Sequence, residues 1–299
     1  MTDHAPEIAR AHAPARQTQL APHVTHVQGA IWACNCIVVA RDGEALVVDA
    51  CWSPADIAAV RGLVGERAAH VLVTHADIDH VCGVGAFPDA TAVMGPDSAA
   101  RVRAGSCAEE IASESAKWGL AFEGEPRADL VVEPDARVEL GGLHVTTVQA
   151  RGHAIDGLGY VVEEEGLFAV GDYLMRSQHP MVWWSFREAR RTTERLLATL
   201  DRFDLRWIVP GHGPLLSVQE ARTVGAEDLA YMEAVERVAD EAQREGVSPR
   251  EWHLAVESVP VPRPAAPDIE MLCPRLLNAA ATFRDRDADG RLPWRMDMA

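Results

Sequence analysis

The sequence predicts an α/β fold in which short strands alternate with helices. Short apolar runs typical of buried strands recur between residues 24 and 212, and helix-initiation signals separate them. From residue 217 onward the pattern is helical only. The 299 residues can bury about three quarters of the surface of the unfolded chain, so one large domain needs no disulfides.

We expect three segments along the chain. Residues 1–22, rich in alanine, histidine, proline and arginine, are expected to form a flexible N-terminal arm. Residues 23–216 are expected to form the α/β domain, and residues 217–299 a helical extension packed on the same domain. The first extension helix carries apolar positions such as Tyr231 and Val235. These favour packing on the body, with a homodimer seam as the alternative.

The predicted strands are valine-, leucine- and isoleucine-rich runs that end at turn residues. In chain order they are 24–28, 31–40, 45–49, 69–73, 91–94, 136–140, 143–150, 158–163, 167–170 and 207–209.

The helices are predicted from their N-terminal caps. A serine followed three residues later by an acid marks a helix start, because the serine oxygen and the acid satisfy free backbone N–H groups. The pattern occurs at Ser53, Ser185, Ser217 and Ser248. Further helical stretches are predicted at 97–120 and 268–284.

The charge and hydropathy of the chain exclude several classes of partner. A formal net charge of −17 argues against nucleic acid and anionic membranes, since both are bound by basic surfaces. No apolar run reaches the length of a membrane span. The N-terminus lacks the apolar core of a secretory signal, so we expect a cytoplasmic protein whose six cysteines are reduced. The remaining partner class is a small-molecule substrate.

Four clusters of metal-ligand residues each follow a predicted strand, where α/β folds place active-site loops. They are His75-x-Asp77-x-Asp79-His80, Gly152-His153, Gly171-Asp172 and Gly211-His212. The first cluster can supply two metal positions about 3.5–4 Å apart, the spacing of two-metal hydrolytic sites. On an extended loop, His75, Asp77 and Asp79 would share one side and His80 would point elsewhere. Glycine before a ligand lets the backbone approach a metal closely.

In order and in content these clusters resemble the motifs of the metallo-β-lactamase superfamily, whose first motif is usually H-x-H-x-D-H. Two upstream stretches also fit, Asn35-Cys36-Ile37-Val38-Val39 and Leu46-Val47-Val48-Asp49. The resemblance covers roughly residues 24–215 and implies a four-layer αββα sandwich. It also implies a site for two divalent metal ions, with zinc favoured and iron or manganese as alternatives.

The resemblance assigns each ligand by position. Metal 1 would take His75, Asp77 and His153. Metal 2 would take Asp79, His80 and His212, and Asp172 would bridge both. The implied enzyme is a hydrolase in which a metal-bound hydroxide attacks a small ester, thioester, lactone or lactam. Asp79 would also orient the nucleophile, and carboxylates such as Asp49 and Asp156 would orient the imidazoles.

Asp77 departs from the family motif, which has histidine there. The extra carboxylate makes the ligand set one charge more negative, which favours harder ions and higher oxidation states over zinc. A carboxylate at this position resembles the flavodiiron proteins, although these carry glutamate. A non-haem iron oxidoreductase, with one or two irons and a separate electron-transfer partner, is therefore the alternative function. A damaged or single-metal site is a third interpretation.

Further candidates lie near these motifs. Tyr173 is a candidate for oxyanion stabilisation, and Arg176 and His179 are candidates for substrate binding or proton donation, with a purely structural loop as the alternative. Trp183 and Trp184 are expected either to wall an apolar substrate pocket or to seal a helix onto the body. Packing is the favoured role of Cys34 and Cys36, with a metal or redox role as the alternative. For Cys82, packing under the loop is favoured, and the alternative is a thiol beside the metal ligands.

Overall fold

The structure, a computed structural model, describes residues 12–265 and 273–287. Twelve strands are assigned there, which form a seven-stranded and a five-stranded sheet. The first sheet has the order β1-β2-β3-β4-β5-β6-β7 and the second has the order β12-β11-β10-β9-β8. The strands are β1 (Arg16–Ala21), β2 (Val24–Gln28), β3 (Asn35–Arg41), β4 (Glu44–Val48), β5 (Ala68–Leu72), β6 (Thr91–Met94), β7 (Leu130–Val131), β8 (Arg137–Leu140), β9 (Leu143–Gln149), β10 (Leu158–Val162), β11 (Leu167–Gly171) and β12 (Trp207–Pro210).

The helices that the structure describes lie between and after these strands. They are α1 (Pro54–Val64), α2 (Ile78–Val81), α3 (Pro96–Arg103), α4 (Ser106–Trp118), α5 (Phe186–Thr199), α6 (Val218–Glu245), α7 (Pro249–Glu257) and α8 (Pro274–Arg284). The serine caps begin helices as predicted, and full capping boxes are present at Ser217 and Ser248. None of the helices described is both long and apolar enough to cross a membrane.

The two sheets pack face to face through alternating side chains. In β3, Ile37 and Val39 face the second sheet, whereas Cys36 and Val38 belong to the core on the outer face, beside α1. A shift of one residue would exchange these faces. Because each fully buried valine, leucine or isoleucine contributes about 1.5–3 kcal/mol, the alternation fixes the register.

Helices cover the outer face of each sheet. Ile57 and Val60 of α1 lie in the core on the outside of the first sheet. Phe168 and Ile208 of the second sheet belong to a core that also contains side chains from α5, α6, α7 and α8. Trp252 is one of the buried side chains that α7 contributes to this core. The predicted α/β fold, a four-layer αββα sandwich with an added C-terminal helical segment, is therefore confirmed.

Three predicted elements differ from the structure. The arm prediction for residues 1–22 is wrong at its end, because Arg16–Ala21 pairs with β2 as an edge strand; residues 1–11 lie outside the described residues. The stretch 97–120 is two helices, broken where Gly105 adopts a φ of +83°. The last helix begins at Pro274, and the earlier part of its predicted range includes residues 268–272, which are not described.

Four loops that follow strands meet at one edge of the sandwich. They follow β5, β9, β11 and β12, and backbone hydrogen bonds tie them together. The N–H of Gly211 donates to the carbonyl of Gly171 at 2.8 Å, and the N–H of Leu158 donates to the carbonyl of Thr74 at 2.7 Å. This edge carries every predicted metal-ligand residue.

Candidate metal centre

The first ligand cluster runs from the end of β5 into α2. Asp77 occupies the N-cap position of α2, and its carbonyl accepts the N–H of His80 at 3.0 Å. We expected an extended loop in which His80 points away from the alternating residues. The helical turn instead directs Asp79 and His80 to the same place, where the ring of His80 lies 4.1 Å from the ring of His75. One short segment thus supplies donors to two neighbouring groups.

The first group of donors consists of His75, Asp77 and His153. The Oδ2 atom of Asp77 lies 3.5 Å from Nε2 of His75 and 3.4 Å from Nε2 of His153. Two atoms that ligate one tetrahedral ion at about 2.1 Å lie about 3.4 Å apart. These three donors therefore have the spacing of ligands to one ion.

The second group consists of Asp79, His80 and His212. Oδ2 of Asp79 lies 3.4 Å from Nε2 of His80 and 3.1 Å from Nε2 of His212. Asp79 is 8% exposed and both imidazoles are buried. Both distances from Asp79 match those between ligands of a single ion. Asp79 and His212 also form a candidate ligand group with the thiol of Cys34, in which the donor atoms lie within 4.8 Å of one another.

Asp172 lies between the two groups. Its Oδ1 atom is 3.3 Å from Nε2 of His80, and its Oδ2 atom is 3.3 Å from Nε2 of His212 and 3.5 Å from Nε2 of His153. One carboxylate therefore contacts imidazoles of both groups. This is the arrangement of a bridging ligand in two-metal sites.

All four imidazoles turn Nε2 toward the carboxylates and hold Nδ1 on the protein. Nδ1 of His80 lies 2.9 Å from the carboxylate of Asp49, and Nδ1 of His75 lies 3.1 Å from the hydroxyl of Thr74. Backbone carbonyls hold the other two, at 2.7 Å for His153 and 3.0 Å for His212. Such partners fix ring orientation and the tautomer that leaves Nε2 free to ligate a metal.

The residues fit a pair of divalent ions. Nε2 of His75, Nε2 of His80 and Oδ1 of Asp172 are buried and form no hydrogen bond among the residues described. Buried polar atoms without partners are costly, and ligation to a metal would satisfy them. Three carboxylates and four imidazoles are also the donors that divalent transition metals prefer.

Two glycines allow the ligand loops to approach each other. A Cβ atom on Gly211 would lie 2.0 Å from Oδ1 of Asp172 and 2.8 Å from Cε1 of His80. Gly152 has a φ of +127°, and a Cβ there would lie 2.2 Å from the backbone nitrogen of Ala189. Any larger residue before His153 or His212 would clash with its neighbours, so glycine is required at both positions, as the sequence predicts for Gly-His motifs.

A protein-family model covers the region that carries all seven ligands. The model of the metallo-β-lactamase superfamily matches residues 30–212, more than half of the chain. The chain belongs to the metallo-β-lactamase superfamily. It is thus a superfamily enzyme, and the family predicted from the motifs is confirmed. The comparison with curated protein sequences gives no match.

Solved structures of the superfamily share the fold at low sequence identity. The sec-alkylsulfatase Pisa1 from Pseudomonas sp. has a TM-score of 0.65 and 13% identity, and the match covers 91% of this chain. The chain spans only 50% of the sulfatase's length. A metallo-β-lactamase from Pontibacter korlensis has a TM-score of 0.55 and 15% identity, with 72% of this chain and 99% of the lactamase covered. The DIM-1 metallo-β-lactamase is similar, with a TM-score of 0.54, 14% identity, and coverage of 72% and 96%.

Arg101 is the main residue at this superfamily site that the sequence reasoning missed. Its Nη1 atom donates to Oδ1 of Asp77 at 2.9 Å and to Oδ1 of Asp156 at 2.6 Å. Asp156, predicted to orient an imidazole, instead accepts from Arg101, from the hydroxyl of Ser98 and from the N–H of Ala76. The expected role of Asp49 is borne out by its contact with His80. The unusual carboxylate of Asp77 was the signal that a cation should lie nearby.

The three other predicted catalytic side chains have different partners in the structure. The hydroxyl of Tyr173 donates to the carbonyl of Arg151 and accepts the N–H of His153, both at 2.8 Å. Arg176 pairs with Glu220 at the surface, at 2.7 Å. His179 is buried against the ring of Tyr231. None of these contacts is with a side chain of the ligand groups, so the three catalytic roles stay predictions. The hydroxyl of Tyr173 holds the backbone N–H of His153.

Aromatic and sulfur side chains surround the ligand groups. The ring of Trp183 lies edge-on to His153 at 6.3 Å, and Trp32, whose carbonyl holds His212, stacks on Trp52 at 5.0 Å. Sγ of Cys34 lies 3.6 Å from Asp79 and 3.5 Å from Nδ1 of His212. Cys82 packs under the loop, with its thiol on backbone carbonyls.

Without a metal, His80, His212, Asp77 and Asp172 have shifted pKa values. Burial opposes charge on His80 and His212, but the neighbouring carboxylates outweigh it and hold the pKa of each imidazole well above its usual value. Burial likewise opposes charge on Asp77 and Asp172, yet the imidazoles hold the pKa of both carboxyls well below the usual value. The metal-free cluster is thus built from imidazolium–carboxylate pairs.

The stability gained from metal binding is therefore expected to grow with pH. Raised imidazole pKa values stabilise the metal-free fold below about pH 6.5, and this stabilisation is lost as pH rises through the folded-state values. Metal binding requires neutral imidazoles and releases those protons. The melting temperature of the EDTA-treated protein should fall between about pH 6 and about pH 9, while the increase on adding zinc becomes larger. An increase that does not change with pH would contradict this account.

Proposed function

We propose that the protein is a dinuclear metal-dependent hydrolase that cleaves a small, uncharged ester, thioester, lactone or lactam. One observation carries the proposal: six donors form two groups of three with ligand spacing, and Asp172 joins the two groups. This is the donor set of two-metal hydrolytic sites, in which a water is activated beside an electrophilic carbon. Membership of the superfamily supports a metal-dependent hydrolase in general. The substrate class is our proposal and does not follow from that membership.

The chain's own residues would prepare the site for this reaction. Bound divalent ions would supply Lewis acidity and lower the pKa of water. His75, Asp77 and His153 would hold one ion, Asp79, His80 and His212 the other, and Asp172 both. The imidazoles of His80 and His212 counter the burial of Asp79 and lower its pKa, so its carboxylate is ionised at neutral pH. It can accept a hydrogen bond from the attacking water and orient it.

The surroundings of the site favour an uncharged substrate. Arg101, Arg151, Arg176 and Arg263 each contact a carboxylate. Arg284 donates to the carbonyls of Trp183 and Trp184. Beyond the metal ions themselves, a sulfate or phosphate ester would gain an arginine partner mainly by displacing one of these contacts. Trp183 beside His153 and Trp32 beside His212 offer apolar walls on either side.

The second candidate is a non-haem iron oxidoreductase with an external electron-transfer partner. Asp77 favours it, since a third carboxylate favours harder ions such as iron. Arg101 weakens this preference, because its guanidinium donates a hydrogen bond to Asp77 and offsets part of the added charge, although it is shared with Asp156 and Glu110. The site is then less negative than the ligand residues alone suggest, which is why we rank hydrolysis first.

Metal analysis combined with turnover distinguishes the two functions. Protein purified without added metal should contain zinc or another redox-inactive divalent ion near two equivalents, and should hydrolyse carbonyl esters or lactones without consuming oxygen. A secondary alkyl sulfate serves as the charged comparison substrate and should be turned over poorly. The His75→Ala variant is the control for contaminating esterases. Iron near two equivalents with visible absorption and oxygen consumption would overturn the hydrolase proposal.

A further inference from the structure

We propose that Arg101 is a positioning residue that converts Asp77 into a functional replacement for the usual motif histidine. Asp77 would supply the metal donor, and Arg101, which also contacts Asp156 and Glu110, would supply positive charge that offsets the carboxylate of Asp77. The inference rests on the metal-binding part of the proposed function and not on which substrate is cleaved.

The carboxylate of Asp77 is divided between two tasks. Its Oδ2 atom faces Nε2 of His75 and Nε2 of His153, while its Oδ1 atom accepts Nη1 of Arg101 at 2.9 Å. The guanidinium thereby occupies the oxygen that points away from the metal position. Asp77 is left with a single donor atom for the ion, as an imidazole would be.

A second contact, with Asp156, fixes the position of the Arg101 side chain. It lies on α3, and Nη1 also donates to Oδ1 of Asp156 at 2.6 Å. Asp156 is fully buried and is fixed by the hydroxyl of Ser98 at 2.6 Å and the N–H of Ala76 at 2.7 Å. Because Ala76 lies between His75 and Asp77, this network ties the guanidinium to the same loop that carries the ligands.

The degree of burial makes this contact more than a surface ion pair. The side chains of Arg101 and Asp77 are 20% and 24% exposed, and Asp156 is inaccessible to solvent. Exposed ion pairs contribute about 0–1 kcal/mol, whereas a hydrogen-bonded carboxylate ligand typically loses about 10- to 100-fold in metal affinity when its partner is removed. A merely structural Arg101 would stabilise α3 without regard to the residue at position 77.

A double-mutant cycle separates these roles. Zinc affinity is measured by competition with a chromophoric chelator for four metal-free proteins: the wild type, Arg101→Met, Asp77→His and the double variant. In the wild-type background, Arg101→Met should weaken the more affected zinc site by about 10- to 100-fold. In the Asp77→His background the same substitution should cause a smaller loss, limited to what Arg101 contributes through Asp156, because the imidazole carries no charge for the guanidinium to offset.

Equal losses in both backgrounds, or no loss in the wild-type background, would overturn the proposal. Arg101→Lys should restore part of the affinity, since lysine keeps the charge and loses the planar fork. Arg61→Met is the matched control, because Arg61 forms a 2.7 Å pair with Glu123 on the surface. Circular dichroism checks that each variant folds. Turnover is not the readout, so a protein that shows the predicted cycle and hydrolyses nothing would refute the proposed reaction alone.

Discussion

The Asp172→Asn variant is expected to lose at least one metal ion and at least about 10³-fold in kcat/KM, which corresponds to about 4 kcal/mol. Asp172 places its two carboxylate oxygens against three imidazoles, from both donor groups. An asparagine keeps the size of the side chain, but its NH₂ group cannot ligate a cation. The two ions would then lose both their shared ligand and a negative charge that offsets their repulsion.

Metal stoichiometry and kcat/KM measured on the same preparation test this prediction. Asp240→Asn is the matched control, since Asp240 forms a surface ion pair with Arg286 and is far more exposed. It should change neither quantity. An Asp172→Asn protein that retained two ions and more than about a tenth of the activity would show that Asp172 is not the bridge.

The Gly211→Ala variant is expected to lose most of its metal affinity, by about 100-fold or more, with an overpacking cost of about 1–3 kcal/mol in stability. The new Cβ would lie 2.0 Å from Oδ1 of Asp172 and 2.8 Å from Cε1 of His80, so either these ligands or the backbone must move. The backbone is also anchored, because the carbonyl of Gly211 accepts the N–H of Asn35 at 2.8 Å.

Gly62→Ala is the control variant, and it is expected to stabilise the protein instead of destabilising it. A Cβ on Gly62 meets nothing within 4 Å, and the residue lies inside α1. Alanine there should raise the free energy of unfolding by about 0.5–1 kcal/mol without changing metal binding. If Gly211→Ala bound zinc as tightly as the wild type, the close approach of the ligand loops would be refuted.

The fold could be predicted from the sequence wherever burial of an element requires a run or a periodic pattern of apolar residues. The interior strands are apolar runs, so they were found with errors of a few residues at their ends. Strand Arg16–Ala21 was missed because it is a mostly polar edge strand, whose pairing with β2 leaves no apolar signal. The break at Gly105 was missed because a single glycine within a helical pattern does not by itself indicate a turn.

The ligand residues could be predicted because each follows a strand and carries distinctive chemistry. The contacts around them could not, because they come from distant parts of the chain. Arg101 is 24 residues from Asp77 and 55 from Asp156, and it lies on a helix whose composition gives no sign of this role. Tyr173 and Arg176 were predicted from proximity to Asp172 in sequence, which does not determine where a side chain finds its partners.

Anomalous diffraction from a crystal of the zinc-loaded protein tests the central claim most directly. We expect two zinc peaks about 3.5–4 Å apart, one among His75, Asp77 and His153 and one among Asp79, His80 and His212. Asp172 should contact both ions, and Arg101 should remain on the outer oxygen of Asp77. A single peak, or a metal 1 position that Asp77 does not ligate, would contradict the account.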